Sequence, residues 1–153
     1  MKKRNAYSFT KNDEQIRYEF VSIGPKGEIA KIVSFSPAFG QAWNLAFGDL
    51  KGSEEFDDSI ITDNGDMRKV LQTLANIAHD FFEKHPNAQV VIDPVDGKRK
   101  SLYNRVFQQK FDEIELEFEV FGVLKYTSEI LPYHPIKTYD AFIIQRKKPN
   151  FEK

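Results

Sequence analysis

The sequence contains no cysteine, and this absence excludes several kinds of chemistry. Disulfide frameworks, zinc ribbons and thiol nucleophiles all require cysteine, so this chain can use none of them. A chain without cysteine suits a reducing compartment, and we therefore expect a cytoplasmic location.

The sequence also lacks a long apolar run. Its first residues, MKKRNAYSFTKNDEQ, begin with basic side chains but contain no apolar core of the kind that a secretory signal requires. No apolar run approaches the ~20 residues that span a bilayer. We therefore expect neither a secretory signal nor a membrane segment.

The sequence also has no large excess of positive or negative charge. Lys and Arg together number 22 and Asp and Glu 23, which gives a formal net charge of -1. A dedicated nucleic-acid or membrane-surface binder is usually basic overall, so this balance argues against both classes. A local basic patch is still compatible with it.

Apolar residues alternate in some stretches of the chain and recur at helical spacing in others. These patterns predict strands at 16–23, 28–36, 42–50, 88–93, 115–126 and 141–144, and helices over 67–82 and about 99–111. The fold class is therefore α+β, a single mixed, mostly antiparallel sheet with two main helices in the order β-β-β-α-β-α-β-β. A chain of this length suits one domain. We place it at residues 15–148, between a flexible segment, 1–14, and a tail, 149–153.

A basic cluster stands where the second helix is expected to begin. Cations are disfavoured at a helix start because it is the positive end of the peptide dipole, so their presence here requires an explanation. One hypothesis is an anion or partner contact made by side chains and free N–H groups at the end of a central strand; its residues are Lys98, Arg99, Lys100 and Arg105. The alternative is a solvated turn whose charges are offset by Asp93 and Asp96.

An acidic stretch, DNGD, precedes the first helix and comprises Asp63, Asn64, Gly65 and Asp66. Asp63 or Asn64 can cap this helix, and Asp66 is expected in its first turn, where the dipole favours an acid. The alternative is a contact with a cation or with a basic surface of a partner. The spacing of a calcium loop is absent.

Metal and nucleophilic sites have little support. The three histidines, His79, His85 and His134, show no metal-ligand spacing, so we expect surface positions and no metal. No G-x-S-x-G elbow is present.

Two further residue groups have a structural and a functional interpretation. Glutamates on one predicted strand face form either a solvated face or a contact for a basic partner; they are Glu115, Glu117 and Glu119. Aromatic side chains early in the chain belong either to the core or to a groove; they are Trp43, Phe47 and Phe56.

The order of elements resembles the core of the GNAT acetyltransferases, and the stretch VVIDPVDGKRKSLYNRVF resembles the strand and Leu-Tyr helix that follow the cofactor helix in that superfamily. The resemblance implies that Tyr103, which follows Leu102, protonates the departing thiolate of coenzyme A. It also implies acetyl-coenzyme A as the cofactor. The chain departs from the superfamily at ITDNGDMRK. There a single glycine lies between acids, which would repel a pyrophosphate.

The chain also resembles a small bacterial family of unknown function. The similar blocks are WNLAFGDL, TDNGDMRKVLQTLANI, FEVFG and YDAFII, within residues 16–144. This resemblance implies a fold and no activity.

Our leading hypothesis is a binding or regulatory domain with no catalytic activity and no cofactor, whose partner is a protein. A divergent acyltransferase and a local nucleic-acid contact through 98–105 are the alternatives. Edge strands could also pair two copies of the chain.

Overall fold

The computed structural model describes residues 5–51, 55–57, 64–94 and 96–147. Its elements in chain order are β1 (Thr10–Lys11), β2 (Arg17–Gly24), β3 (Gly27–Pro37), β4 (Ala42–Lys51), β5 (Glu55–Asp57), α1 (Met67–Lys84), β6 (Gln89–Ile92), α2 (Gly97–Ile114), β7 (Phe118–Leu124), β8 (Glu129–Pro132) and β9 (Ala141–Arg146). The predicted order of main strands and helices is confirmed, with β1, β5 and β8 as additional short strands.

The strands form one mixed sheet, as predicted. Their order is β1-β2-β3-β4-β6-β9-β7-β8, with β5 paired to β4. The pairing of β4 with β6 is parallel and covers three residue pairs, from Ala42↔Gln89 to Asn44↔Val91. The partners of β9 on both sides, β6 and β7, are antiparallel to it. The last strand of the chain therefore lies between two earlier ones.

By packing, the chain divides into two compact units. The first unit consists of Met1–Ser36 and Leu45–Pro86, and the second of Pro37–Asn44 and Asn87–Lys153.

The first unit is organised around the packing of α1 on β2 and β3. Phe81 of α1 stacks on Phe35 of β3 with ring centroids 4.0 Å apart, and Phe35 in turn meets the edge of Tyr18 of β2. The apolar residues whose periodicity predicted α1 therefore form the stripe by which this helix packs on the sheet. Polar side chains are buried on the same helix: Thr73, Asn76 and Asp80.

The N-terminal segment contributes to this unit. Thr10 and Lys11 form β1, whose partners in β2 are Glu19 and Tyr18. Part of the segment 1–14, which was expected to be flexible, is therefore a strand. The predicted domain limits stay a prediction. The tail expected at 149–153 lies outside the described residues.

The second unit is organised around the packing of α2 on β9. Phe107 stacks on Phe142 with ring centroids 4.3 Å apart. Gly122 of β7 lies under the ring of Tyr139, and a Cβ atom at position 122 would come within 2.2 Å of that ring. This contact requires glycine and fixes the segment that enters β9.

One predicted strand starts later than expected. α2 extends to Ile114, and β7 begins only at Phe118, so Glu115 and Glu117 lie in the turn between them. The expected common face of three glutamates is therefore wrong. Glu119 alone of the three lies in β7, where its carboxylate accepts a hydrogen bond from Gln145.

No helix in the described part of the chain combines the length and the apolar character that crossing a bilayer requires.

Candidate anion-binding site

The start of α2 is capped by the side chain of Asp96. Its backbone is extended, with φ -151°, and its Oδ1 accepts a hydrogen bond of 2.8 Å from the Arg99 N–H. Its carbonyl accepts a second bond, of 3.0 Å, from the Lys100 N–H. A capping carboxylate of this kind typically stabilises a helix by about 1 kcal/mol. A negative charge from the chain itself therefore already occupies the helix start.

The four cations predicted to act together lie in different environments. Lys98 and Arg105 are exposed, whereas Arg99 is buried, with 7% of its surface accessible. Lys100 is in an ion pair, with its Nζ 2.6 Å from Asp140 Oδ1. The four side chains therefore do not share one environment, and the anion contact expected of them stays a prediction.

Two residues remote in sequence complete the charged group. Asp140 accepts hydrogen bonds from Lys100 Nζ and, at 2.7 Å, from the Lys125 N–H. These bonds, the one from Lys100 first, hold the pKa of Asp140 below its usual value. Lys125 Nζ lies 2.8 Å from Asp93, just after β6. We refer to this group as the α2-start cluster: Asp93, Asp96, Lys98, Arg99, Lys100, Lys125 and Asp140.

Asn104 holds the cluster in position. Its Nδ2 donates to the Tyr139 carbonyl at 2.9 Å, and its Oδ1 accepts from the Tyr139 N–H at 2.8 Å. The same Nδ2 lies 2.9 Å from the Lys100 carbonyl. This buried amide ties the first turns of α2 to the segment that carries Asp140, so the ion pair of Lys100 and Asp140 follows from the fold.

Arg99 is the member of the cluster whose hydrogen bonding is incomplete. Its Nη2 is buried and has no hydrogen-bond partner. Buried polar groups in folded proteins are nearly always hydrogen-bonded, and leaving a buried charge unpaired is costly. Long side chains on a helix point back towards its start, and Arg99 lies in the first turn. Its guanidinium therefore keeps a buried N–H donor without an acceptor.

Tyr103 follows Arg99 by one helical turn, so the two side chains project from the same side of α2. Tyr103 is half-buried. The role of proton donor that the GNAT resemblance implies for it stays a prediction.

The DNGD stretch serves the first unit in a way that the sequence did not indicate. Asn64 is buried and binds the turn between β2 and β3: its Oδ1 accepts from the Lys26 N–H at 2.7 Å, and its Nδ2 donates to the Gly27 carbonyl at 2.8 Å. Gly65 has a φ of +75°, which favours glycine. The capping role predicted for Asn64 is wrong, and Asp63 lies outside the described residues.

Asp66 occupies the N-cap position of α1 but does not cap the helix with its side chain. Its Oδ2 instead accepts hydrogen bonds from the Tyr7 hydroxyl at 2.5 Å and from Ser22 Oγ at 2.6 Å. Burial raises the pKa of Asp66, but these bonds outweigh it and lower the pKa below its usual value. The expectation that Asp66 lies inside the first turn is wrong.

A buried ion pair in the first unit was also missed. Lys31 Nζ lies 2.6 Å from Asp49 Oδ1, and both residues are buried. The sequence did contain a signal. In the predicted strand, Lys31 shares a face with Ile29 and Val33, so its side chain points to the apolar side.

The remaining candidates lie apart from the α2-start cluster. His79 and His85 are half-buried and His134 is exposed, so the surface prediction holds for His134 alone. Among the residues that the structure describes, no group of three or more His, Asp or Glu side chains is placed to hold a metal ion.

The aromatic candidates are distributed along β4 and β5. Phe47 is buried and stacks on Phe20, as the core interpretation predicts. Trp43 is half-buried, and Phe56 belongs to β5 with its side chain outside the described part.

Within the described part of the chain, six side chains have shifted pKa values, and each shift is away from neutral pH. The carboxylates Asp66, Asp80 and Asp140 have lowered pKa values. The pKa values of Tyr7, Tyr18 and Tyr133 are raised, in each case first by burial, and that of Tyr133 reaches about 12. A general acid or base works best with a pKa near the operating pH. The pKa values of these six groups are instead shifted further from neutral pH.

Comparison with known proteins adds a family and no activity. No curated protein and no solved structure matches the chain. Residues 3–147, nearly the whole chain, match one family, DUF6934, described as a family of unknown function. The chain belongs to this family of unknown function, DUF6934.

Proposed function

We propose that the chain is a small binding domain, without catalytic activity of its own, that takes an anionic group of its ligand at Arg99. The observation that carries this proposal is the buried guanidinium whose Nη2 lacks an acceptor, in a cluster whose carboxylates accept hydrogen bonds from other groups. An anion at this point would satisfy the free donor and neutralise the buried charge.

Two features support binding over catalysis. The carboxylates and tyrosines with shifted pKa values hold their protonation states more firmly than free side chains do, which suits fixed hydrogen bonds. In addition, Asn64 and Asp66 use their side chains on their own unit. Asp66 also places a carboxylate at the start of α1, and this charge would repel a pyrophosphate.

The test is thermal denaturation with acetate and with inorganic phosphate at constant ionic strength. At ten times the dissociation constant, binding stabilises the protein by about 1.4 kcal/mol. For a chain of this length that raises Tm by roughly 3–6 °C. The Arg99→Gln variant should lose this rise. Arg105→Gln, which removes the same charge from an exposed position of the same helix, should keep it.

The proposal is abandoned if neither anion raises the Tm of the wild type, or if Arg99→Gln responds as the wild type does.

A divergent acyltransferase is the second candidate, and the position of Tyr103 one turn from Arg99 favours it. In that case acetyl-coenzyme A should raise Tm, and changing Lys98, Arg99 and Lys100 together to Ala should remove the rise. Acyl transfer by the wild type but not by Tyr103→Phe would replace the binding proposal. A Tm unaffected by millimolar acetyl-coenzyme A would rule out the acyltransferase.

Nucleic-acid binding receives less support. Of the four cations, Arg99 is buried, and Lys100, although exposed, is paired with Asp140, which leaves Lys98 and Arg105 as the exposed charges outside an ion pair. Two exposed cations are few for a phosphate backbone.

A further inference from the structure

We infer that the anionic group bound at Arg99 is a single carboxylate carried by a peptide or protein, and not a phosphate. This inference rests on the proposed function and specifies its ligand. It follows from the charge of the α2-start cluster, from the capped helix start and from the shape of the guanidinium.

The charge of the cluster favours a monoanion. Its four cations and three carboxylates leave a net charge of +1. Asp93 and Asp140 are engaged by Lys125 and Lys100, so the buried charge without a counterion is that of Arg99. One negative charge would neutralise it, whereas a phosphate with up to two would place the excess beside three carboxylates.

The helix start is not open to a phosphate in the usual way. Phosphates at helix starts are held by several free backbone N–H groups on the helix axis. In α2 the Arg99 N–H is already bound by the Asp96 carboxylate at 2.8 Å. A phosphate on the axis would meet this negative charge. The ligand therefore depends on the Arg99 side chain more than on the backbone.

The side chain itself matches a carboxylate. A guanidinium is planar and presents parallel N–H groups, which pair with the two oxygens of a carboxylate. Lysine would offer a point charge without this geometry. Arg99 is therefore the residue that sets the ligand class, and Arg99→Lys should keep the charge and lose the pairing.

A peptide has an apolar contact available next to the cluster. Tyr126 is fully exposed and directly follows Lys125, which binds Asp140 through its N–H and Asp93 through its Nζ. Exposed aromatic side chains are typical contact residues in protein interfaces. We therefore expect Tyr126 to contact the residues beside the bound carboxylate.

The first experiment compares acetate with inorganic phosphate by calorimetric titration of the full chain at constant ionic strength. Acetate should bind at least about tenfold more tightly than phosphate, and Arg99→Lys should weaken acetate binding about tenfold. Arg105→Lys should change neither affinity.

Two results separate this inference from the proposed function. Phosphate binding that is tighter than acetate binding, and still dependent on Arg99, would overturn the carboxylate assignment and leave the proposed function standing. Absence of binding by either anion would overturn both.

The second experiment identifies the source of the carboxylate with three versions of one short peptide. The first has a free C-terminal carboxylate, the second is its C-terminal amide, and the third is the amide with a single Glu. Binding of the first alone assigns the site to a C-terminus, and binding of the third assigns it to an acidic side chain. Tyr126→Ala should weaken peptide binding and leave acetate binding unchanged. Binding of acetate without either acidic peptide would overturn the assignment to a peptide or protein.

Discussion

Among the residues that the structure describes, each of the two compact units buries one cation, and the two cations differ in what surrounds them. Lys31 in the first unit has a side chain that is 1% exposed and lies 2.6 Å from Asp49. Arg99 in the second unit is 7% exposed and has a buried Nη2 with no acceptor. Of the acids in the α2-start cluster, Asp140 and Asp93 are paired with Lys100 and Lys125, and Asp96 accepts its hydrogen bond from the Arg99 backbone.

This difference separates a structural charge from a binding charge. Burying an ion pair costs desolvation free energy, which the attraction between the two charges offsets within the fold. The partner of each charge is therefore the protein itself. A buried charge without a partner recovers the cost only when a ligand arrives. Changes at Asp49 and at Arg99 test this distinction, and a change at Asp66 measures a charge that neutral hydrogen-bond donors stabilise.

The largest effect is expected from Asp49→Ala in the first unit. Removing one partner of a buried pair leaves the other charge uncompensated, which typically costs about 3–5 kcal/mol. We expect a loss of this size in the free energy of unfolding, measured by urea denaturation.

The control is the double variant Lys31→Met with Asp49→Leu. Replacing a buried pair by apolar side chains of similar volume is often close to neutral, so the double variant should recover most of the loss. A single variant that loses less than about 1 kcal/mol would show that Lys31 does not depend on Asp49, and the contrast with Arg99 would then disappear.

An intermediate effect is expected from Asp66→Asn. Asp66 accepts two hydrogen bonds, from Tyr7 and Ser22. Bonds to a charged group contribute about 1.5–3 kcal/mol each and neutral ones about 0.5–1.5 kcal/mol, so Asn, which keeps a neutral acceptor, should cost about 2–3 kcal/mol in total. The pKa of Asp66 is lower in the folded chain than the usual 3.8. Its contribution is therefore complete above that usual value and is lost as the pH falls through the folded pKa.

The measurement is the difference in unfolding free energy between the wild type and Asp66→Asn as a function of pH. This difference should be constant between about pH 5 and pH 7 and should shrink below about pH 4. A difference that grows on acidification would mean that the carboxylate is not the stabilising form.

The fold could be predicted largely from apolar periodicity, and its errors have an identifiable cause. The alternation of ELEFEV continues across the end of α2, where neither Gly nor Pro marks a stop, so β7 was expected three residues too early. The strands β1, β5 and β8 have two, three and four residues, too short for a period to be visible.

The candidate site could be predicted only in part. The run Lys98–Lys100 marked the correct helix start because cations there conflict with the dipole. Lys125, Asp140 and Asn104 could not be found, since their contacts with Asp93, Lys100 and Tyr139 join residues 32 to 40 positions apart. Whether each of these three cations is exposed, buried or paired depends on how α2 is rotated about its own axis, and local sequence does not determine that rotation.

The smallest effect on stability, and the one that decides the comparison, is expected from Arg99→Met. Methionine keeps a long flexible stem and removes a buried charge without a partner. We expect the free energy of unfolding of the ligand-free protein to stay the same or to rise by up to about 1 kcal/mol. Arg105→Met, at an exposed position, should lie within about 0.5 kcal/mol of the wild type.

A gain or no change at position 99 together with lost anion binding would identify a residue retained at a cost in stability, which is expected of a binding site. A loss above about 1 kcal/mol would instead mean that the guanidinium supports the fold as Lys31 does. Arg99 would then be a second structural cation, and the two units would differ in geometry alone. Urea denaturation of Arg99→Met beside Asp49→Ala therefore tests directly whether the missing acceptor of Arg99 belongs to a ligand.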